Sequence, residues 1–214
     1  MNPYPLLCIK PDFVPPSITQ TLLANKSSDY SNALVGYDDS QSVTDHRKTK
    51  WLTLPPDVHA NLYRTIYQIH EQHLRFVYDS TAVHVEPPQF LRYDVDEHYD
   101  VHNDSESWVN GRLQRVVERD ISVLLYLNDD YEGGQIEFTK LGLTLKPKAG
   151  MLLAFPSYLE FEHKVHPVTR GVRYTIVSWI ATEKRIYARP YDTPTDLRGA
   201  WVPGAQQLRA ETLR

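Results

Sequence analysis

The chain has 214 residues and 24.8 kDa, enough for one domain whose folding hides roughly 70% of its unfolded surface. Apolar residues make up 41% and charged residues 23%, a globular composition that excludes disorder over most of the length. The formal charge of −4, with a pI near 6.1, argues against a phosphate backbone as the main partner.

A lone cysteine, Cys8, can build neither an internal disulfide nor a cysteine-based zinc site, which fits a reducing compartment. Met1-Asn2-Pro3-Tyr4-Pro5 has no basic region, and Leu6-Leu7-Cys8-Ile9 is too short for a signal peptide. No run approaches the roughly 18 apolar residues of a membrane span. The expectation is a soluble, cytoplasmic protein with neither membrane nor nucleic acid as partner; the sequence carries no signal for oligomeric state.

In chain order, Ser17 to Leu23 follows Pro15-Pro16 and predicts a helix with Ser17 as N-cap. A second helix is predicted from Asp57 to about Tyr78, with Leu62, Ile66 and Ile69 on one face and Val77 following at the same period. After Pro87-Pro88 the period changes. Phe90–Tyr93, Ile121–Leu127, Gln135–Phe138, Met151–Phe155 and Tyr174–Ile180 are short runs rich in Val, Ile, Tyr and Phe. Turn clusters such as Asn128-Asp129-Asp130 and Glu132-Gly133-Gly134 separate them. Many short strands after two helices predict a mainly β fold with N-terminal helices: a cupin-like jelly roll, or double-stranded β-helix. From Arg185 the chain reads as irregular, closing on a helix at Ala205–Leu213. One domain is expected over 1–214: helical support at 1–85, a jelly-roll core at 89–181 and a tail at 185–214.

Nine histidines invite a search for metal ligands. In His102-Asn103-Asp104 an extended backbone aims an imidazole and a carboxylate at one point. By itself that triplet is a weak signal. A second histidine comes from His163 or His166, in the string His163-Lys164-Val165-His166-Pro167-Val168-Thr169-Arg170-Gly171-Val172-Arg173. Arg173 follows His163 by ten positions and His166 by seven, and Pro167 limits strand pairing beside His166. Two histidines and one carboxylate make the facial triad of non-heme Fe(II) oxygenases, with three metal positions open. An arginine beside it offers a planar fork for the distal carboxylate of a 2-oxo acid. Glu160-Phe161-Glu162-His163 has the Glu-x-x-His form of a di-iron bundle, but such a site needs two of these motifs. His46, His59, His70, His73 and His84 are expected to be ordinary histidines, and Glu137 and Phe138 structural.

The stretch from about Gln89 to Ala181 resembles the catalytic core of the prolyl 4-hydroxylase-like Fe(II)/2-oxoglutarate-dependent dioxygenases. The matching pieces, in order, begin with Tyr93, Tyr99, His102 and Asp104. Arg119-Asp120-Ile121-Ser122-Val123-Leu124-Leu125-Tyr126-Leu127-Asn128 and Gly133-Gly134-Gln135-Ile136-Glu137-Phe138 come next. Pro147-Lys148-Ala149-Gly150, Phe155-Pro156, the His163–Arg173 string and Trp179 complete the series. The resemblance implies His102, Asp104 and His163 as iron ligands, with Arg173 anchoring 2-oxoglutarate beside Tyr93. Tyr126, on the central strand, is the further co-substrate candidate. Tyr99, Arg119 and Trp179 match positions that face substrate in relatives. It further implies O2 as oxidant, ascorbate as the reductant that keeps iron ferrous, and hydroxylation of a prolyl residue in a protein or peptide.

The alternatives are hydroxylation of a free amino acid or small metabolite, and a cupin-like module that binds metal without turnover. A small substrate needs a lid, for which Asp94–Glu97 and Ser105–Arg112 are candidates. The chain departs from the family pattern at Asp96, where glycine is frequent, at Ser122, where threonine is usual, and at Ala181. It also has Arg173 where collagen-type enzymes use lysine.

Overall fold

The computed structural model describes residues 6–26, 28–33, 45–184 and 186. The helix expected at Ala205–Leu213 lies outside them. The N-terminal part contains β1 (Cys8–Lys10), α1 (Pro16–Ala24), β2 (Tyr30–Asn32), β3 (Arg47–Lys48) and β4 (Lys50–Leu52). Then α2 (Pro56–Ile69) runs through a π-helical turn (His70–Leu74) into α3 (Arg75–Tyr78), and β5 (Ala82–Val85) follows. The first two helices each start at the second proline of a pair, where the missing N–H costs nothing. The N-cap of α1 is therefore Pro15, and Ser17, expected to cap it, lies inside the first turn.

The π turn also corrects the phase of the second helix. A strict α period would carry the buried face from Ile66 and Ile69 to Val77. The wider turn inserts a residue, so Leu74 and Tyr78 take the buried positions and Val77 is left half-buried. Asp79, in the left-handed conformation at φ 45°, ends the helix.

The remaining strands are β6 (Gln89–Tyr93), β7 (His98–His102), β8 (Glu106–Val109), β9 (Arg112–Arg115), β10 (Ile121–Tyr126) and β11 (Glu132–Gly133). They continue with β12 (Ile136–Phe138), β13 (Leu143–Leu145), β14 (Leu152–Pro156), β15 (His163–Val165), β16 (Val168–Arg170) and β17 (Arg173–Thr182). A larger antiparallel sheet runs β1-β14-β10-β17-β6-β4-β2, with β5 also on β17. A smaller one runs β13-β12-β15-β7-β3, and two ribbons, β8-β9 and β11-β16, complete the β structure. These are the two layers of the expected jelly roll. The N-terminal region is more than helical support, because β1, β2, β4 and β5 widen the large sheet and β3 extends the small one.

The period of two along the central strands sorts the side chains. On β10, Ile121, Val123 and Leu125 pack with Leu62, Ile66 and Ile69 of the helical layer. Leu124 and Tyr126 point the other way and pack with Ile136, Phe138 and Phe155. On β17, Ile176 and Ile180 join the helical side, while Arg173, Thr175, Val177 and Trp179 line a cleft between the sheets.

Candidate active site

The cleft has an open space of ≈ 410 Å³, and its lining includes His102, Asp104 and His163. β7 pairs with β15 so that His102 stands opposite His163, which brings together residues 61 positions apart. Asp104 lies just past the end of β7, in a turn that Asn103 makes. Asn103 Oδ1 accepts from Ser105 N at 3.2 Å and from Glu106 N at 2.6 Å. His102 Nε2 is 3.7 Å from Asp104 Oδ1, and His163 Nε2 is 3.9 Å from Asp104 Oδ2. One ligand atom from each of the three lies within 4.8 Å of the others. Among the described residues no other group of three His, Cys, Asp or Glu side chains is so placed.

Both imidazoles are set for coordination through Nε2. His102 Nδ1 lies 2.7 Å from Asp100 O and His163 Nδ1 lies 3.0 Å from Phe161 O, so each Nδ1 carries the proton and donates it to a carbonyl. Burial, and then the neighbouring His163, lowers His102 from 6.5 to about 3, which keeps it neutral. Burial would raise Asp104, but His163, His102, Arg119 and the Ser122 hydroxyl together hold it below the ordinary carboxylate range. Ser122 Oγ donates to Asp104 Oδ2 at 2.6 Å and shares a 2.8 Å hydrogen bond with Ser157 Oγ. A carboxylate and two imidazoles that present Nε2 suit a divalent iron, and the donor set fits it.

Arg173 lines the same cleft and is 1% exposed. Its Cζ lies 4.7 Å from the Tyr93 ring centroid and 5.2 Å from that of Tyr126. Among the described residues its Nε and Nη2 have no hydrogen-bond partner, nor have the buried hydroxyls of Tyr126, Tyr131 and Thr175. Tyr126 and Tyr131 are near enough to interact electrostatically with the guanidinium, yet neither meets hydrogen-bond geometry. Burial pushes both phenols up, so both remain donors. Buried donors without acceptors, gathered around a cation, are what a carboxylate would satisfy. The cleft therefore fits a 2-oxo acid whose far carboxylate lies at Arg173.

A glycine makes that room. Gly134 has φ +61°, and a Cβ there would come within 3.0 Å of both Arg173 Cδ and the Tyr131 ring.

Of the residues expected to face substrate, Trp179 lines the cleft, and its buried indole Nε1 lacks a partner. Arg119 stacks on it, Cζ 3.7 Å from the ring centroid, and is gripped by Glu86 at 2.5 and 2.7 Å. Tyr99 also lines the cleft and lies flat on His102, ring centroids 3.5 Å apart. His166 is turned out of the site: its Nε2 lies 2.7 Å from Glu137 Oε2. Asp94–Glu97 is tied down by Lys50, which bonds both Asp94 and Glu97, and Ser105–Arg112 enters the β8-β9 ribbon. His70 is buried and bonded to Glu71 and Ser80, an ordinary structural histidine.

The sequence reading missed Tyr131, Thr175, Glu86 and Arg47. Thr175 was within reach, since it stands two positions after Arg173 on one strand face. The other three depend on distant packing and leave no local signal.

A family model described as the 2OG-Fe(II) oxygenase superfamily matches residues 88–181. Rat prolyl 3-hydroxylase 2 is 41% identical over 70 residues, 30% of this chain and 10% of that protein. A PKHD-type hydroxylase of Pseudoalteromonas atlantica is 34% identical over 98 residues, 44% of this chain and 42% of that protein. This chain thus spans from a tenth to under half of the length of these two curated relatives. Among solved structures, a viral collagen prolyl hydroxylase of Paramecium Bursaria Chlorella virus-1, as its 2OG complex, superposes with TM-score 0.60 at 19% identity. That match covers 82% of this chain and 95% of the other. A Trichoplax adhaerens prolyl hydroxylase in complex with a hypoxia inducible factor peptide fragment gives TM-score 0.62 at 20% identity, covering 85% and 86%. These likenesses carry the jelly-roll fold. The matched region holds all three triad residues and Arg173, so residues 88–181 of this chain are similar to the 2OG-Fe(II) oxygenase superfamily.

Proposed function

We propose that the protein hydroxylates a C–H bond of a prolyl residue in a protein or peptide, with Fe(II) held by His102, Asp104 and His163 and 2-oxoglutarate anchored by Arg173. The observation that carries this reading is the pairing, in one cleft, of the triad with a buried guanidinium that keeps two N–H groups unpartnered. A module that only binds metal has no use for that second feature. When bound, the iron and 2-oxoglutarate supply the oxidising power: O2 is consumed, the 2-oxo acid becomes succinate and CO2, and one oxygen atom enters the substrate C–H bond.

The chain's own residues bind and orient. Asp100 O and Phe161 O fix the imidazole tautomers, and Ser122 fixes the Asp104 carboxylate. Arg173, with Tyr126, Tyr131 and Thr175 around it, grips the distal carboxylate of the co-substrate and so sets its register along the cleft. Tyr93 backs the guanidinium. Leu91, Leu124, Ile136 and Val165 line the cleft with apolar surface that excludes water. Trp179 Nε1 is the donor for a substrate carbonyl, and Glu86 holds Arg119 against the indole. The relatives named as prolyl hydroxylases support the choice of a prolyl substrate.

The test is succinate release with Fe(II), 2-oxoglutarate, O2 and ascorbate, comparing proline-containing peptides with free amino acids. Turnover confined to peptides, with mass gain at proline, is expected. Turnover confined to free amino acids would replace the substrate, and no turnover by protein that takes up Fe(II) and 2-oxoglutarate would favour a binding module.

A further inference from the structure

The strand that carries His102 is not regular. On β15, His163 and Val165 are two positions apart, but their partners on β7 are His102 and Tyr99, which are three apart. β7 therefore holds one extra residue between them. Residues three apart on a regular strand point to opposite faces; a bulge re-aims one of them. The result is that the Tyr99 and His102 rings lie face to face, centroids 3.5 Å apart and planes 14° apart.

Tyr99 is held in turn from outside the family-matched region. Arg47 of β3 stands directly opposite it in the register, is 9% exposed, and places its guanidinium carbon 4.9 Å from the ring centroid. His46 meets the same ring edge-on at 5.7 Å. The backbone locks the pair of strands further, with Asp100 N donating to His46 O at 2.9 Å.

We propose that Arg47 and Tyr99 are positioning residues for His102, so that the N-terminal strand β3 completes the metal site. The assignment rests on reading His102 as an iron ligand. Hydrogen bonding at Nδ1 selects the tautomer, but the last torsion of histidine is broad and does not fix the ring plane. A ring stacked on the imidazole does fix it, and a guanidinium holding that ring by cation–π attraction keeps the stack closed. The electron-rich phenol face also suits an imidazole that a metal has made electron-poor. Tyr99, which lines the same cleft as His102, thereby braces the ligand through one ring face.

The experiment has two arms on the full chain, using Arg47→Met, Arg47→Lys, Tyr99→Phe and Tyr99→Leu, each checked for a cooperative melt. First, the His102 Cε1–H resonance of the metal-free protein, assigned with His102→Ala, reports the stack directly. It should be shifted upfield by the Tyr99 ring current, remain so in Tyr99→Phe, and move toward the ordinary histidine position in Tyr99→Leu and Arg47→Met. Second, Co(II) is titrated into each apoprotein and its visible absorption followed. Tyr99→Phe should bind within about twofold of wild type, while Tyr99→Leu and Arg47→Met should bind about three- to tenfold more weakly with an altered spectrum. Arg47→Lys, which keeps the cation, should recover most of the loss.

Unchanged Co(II) affinity and spectrum in Tyr99→Leu and Arg47→Met would overturn the proposal even if the resonance moved. Wild-type protein that shows the upfield resonance yet takes up no Co(II) would overturn the iron assignment, and this role with it. The resonance tells that failure apart from the absence of a stack.

Discussion

Replacing Arg173 with methionine separates what the fold needs from what the co-substrate needs. The guanidinium is 1% exposed, and its Nε and Nη2 have no partner among the described residues. Each buried N–H without an acceptor costs the native state about 1–3 kcal/mol. Against this stand two cation–π contacts, to Tyr93 at 4.7 Å and Tyr126 at 5.2 Å, each contributing about 0.5–2 kcal/mol. At central values the two unpaired donors outweigh the two ring contacts by about 1.5 kcal/mol. Methionine keeps an unbranched apolar stem and has no donor, so Arg173→Met should leave the ligand-free protein at least as stable, with a melting temperature higher by about 3–6 °C. Binding should change in the opposite sense. Two charge-assisted hydrogen bonds to a carboxylate contribute about 1.5–3 kcal/mol each, so 2-oxoglutarate affinity should fall at least about 100-fold. Thermal unfolding of the apoprotein measures the first quantity, and calorimetric titration of 2-oxoglutarate into Mn(II)-loaded protein the second. A variant destabilised by more than about 1 kcal/mol would mean that the guanidinium braces the fold. An unchanged affinity would remove Arg173 from the co-substrate site altogether.

The neighbouring residues give sharper, smaller effects. Tyr131→Phe deletes one unpartnered hydroxyl beside Arg173; it should raise the 2-oxoglutarate KM about 10-fold with little change in melting temperature, and an unaltered KM would show the hydroxyl idle. Ser122→Ala removes the 2.6 Å hydrogen bond to Asp104 Oδ2. Metal affinity, read by Co(II) titration, should drop about 10- to 100-fold, whereas wild-type affinity would mean that the carboxylate needs no brace. His166→Ala should leave Co(II) affinity within about twofold, because His166 is bound to Glu137 away from the triad; loss of metal in that variant would reassign the ligand from His163.

The parts of this site that were legible in the sequence are those that strand periodicity and local turns produce. His102 and Asp104 are two residues apart and meet because Asn103 turns the chain between them. Arg173 and Trp179 lie six positions apart on β17, an even number, so both face the cleft, and Thr175 and Val177 come with them. The alternation along β10 likewise sends Ser122 and Tyr126 inward as Ile121, Val123 and Leu125 go to the helices. Helix existence was legible too, from apolar spacing. Its phase past Ile69 was not, because nothing in the residues themselves marks the π turn that moves burial from Val77 to Leu74 and Tyr78.

What the sequence hid has a common physical cause: it is decided by pairing between segments far apart in the chain. β2, β3 and β4 are two or three residues long, too short to show an alternation, and they exist because the edges of two sheets accept them. Arg47 lies 52 positions before Tyr99, and only the β3-β7 register puts one on the other. The bulge that turns Tyr99 onto His102 is equally silent, since it is a mismatch between β7 and β15 and belongs to neither strand alone. The resemblance implies a substrate-facing position for Tyr99, and Tyr99 does line the cleft. Its geometry places it against the imidazole, with an arginine from the N-terminal edge strand behind it. A motif read along one strand can name the residues of a site, but what packs on each of them is fixed by the strands on either side.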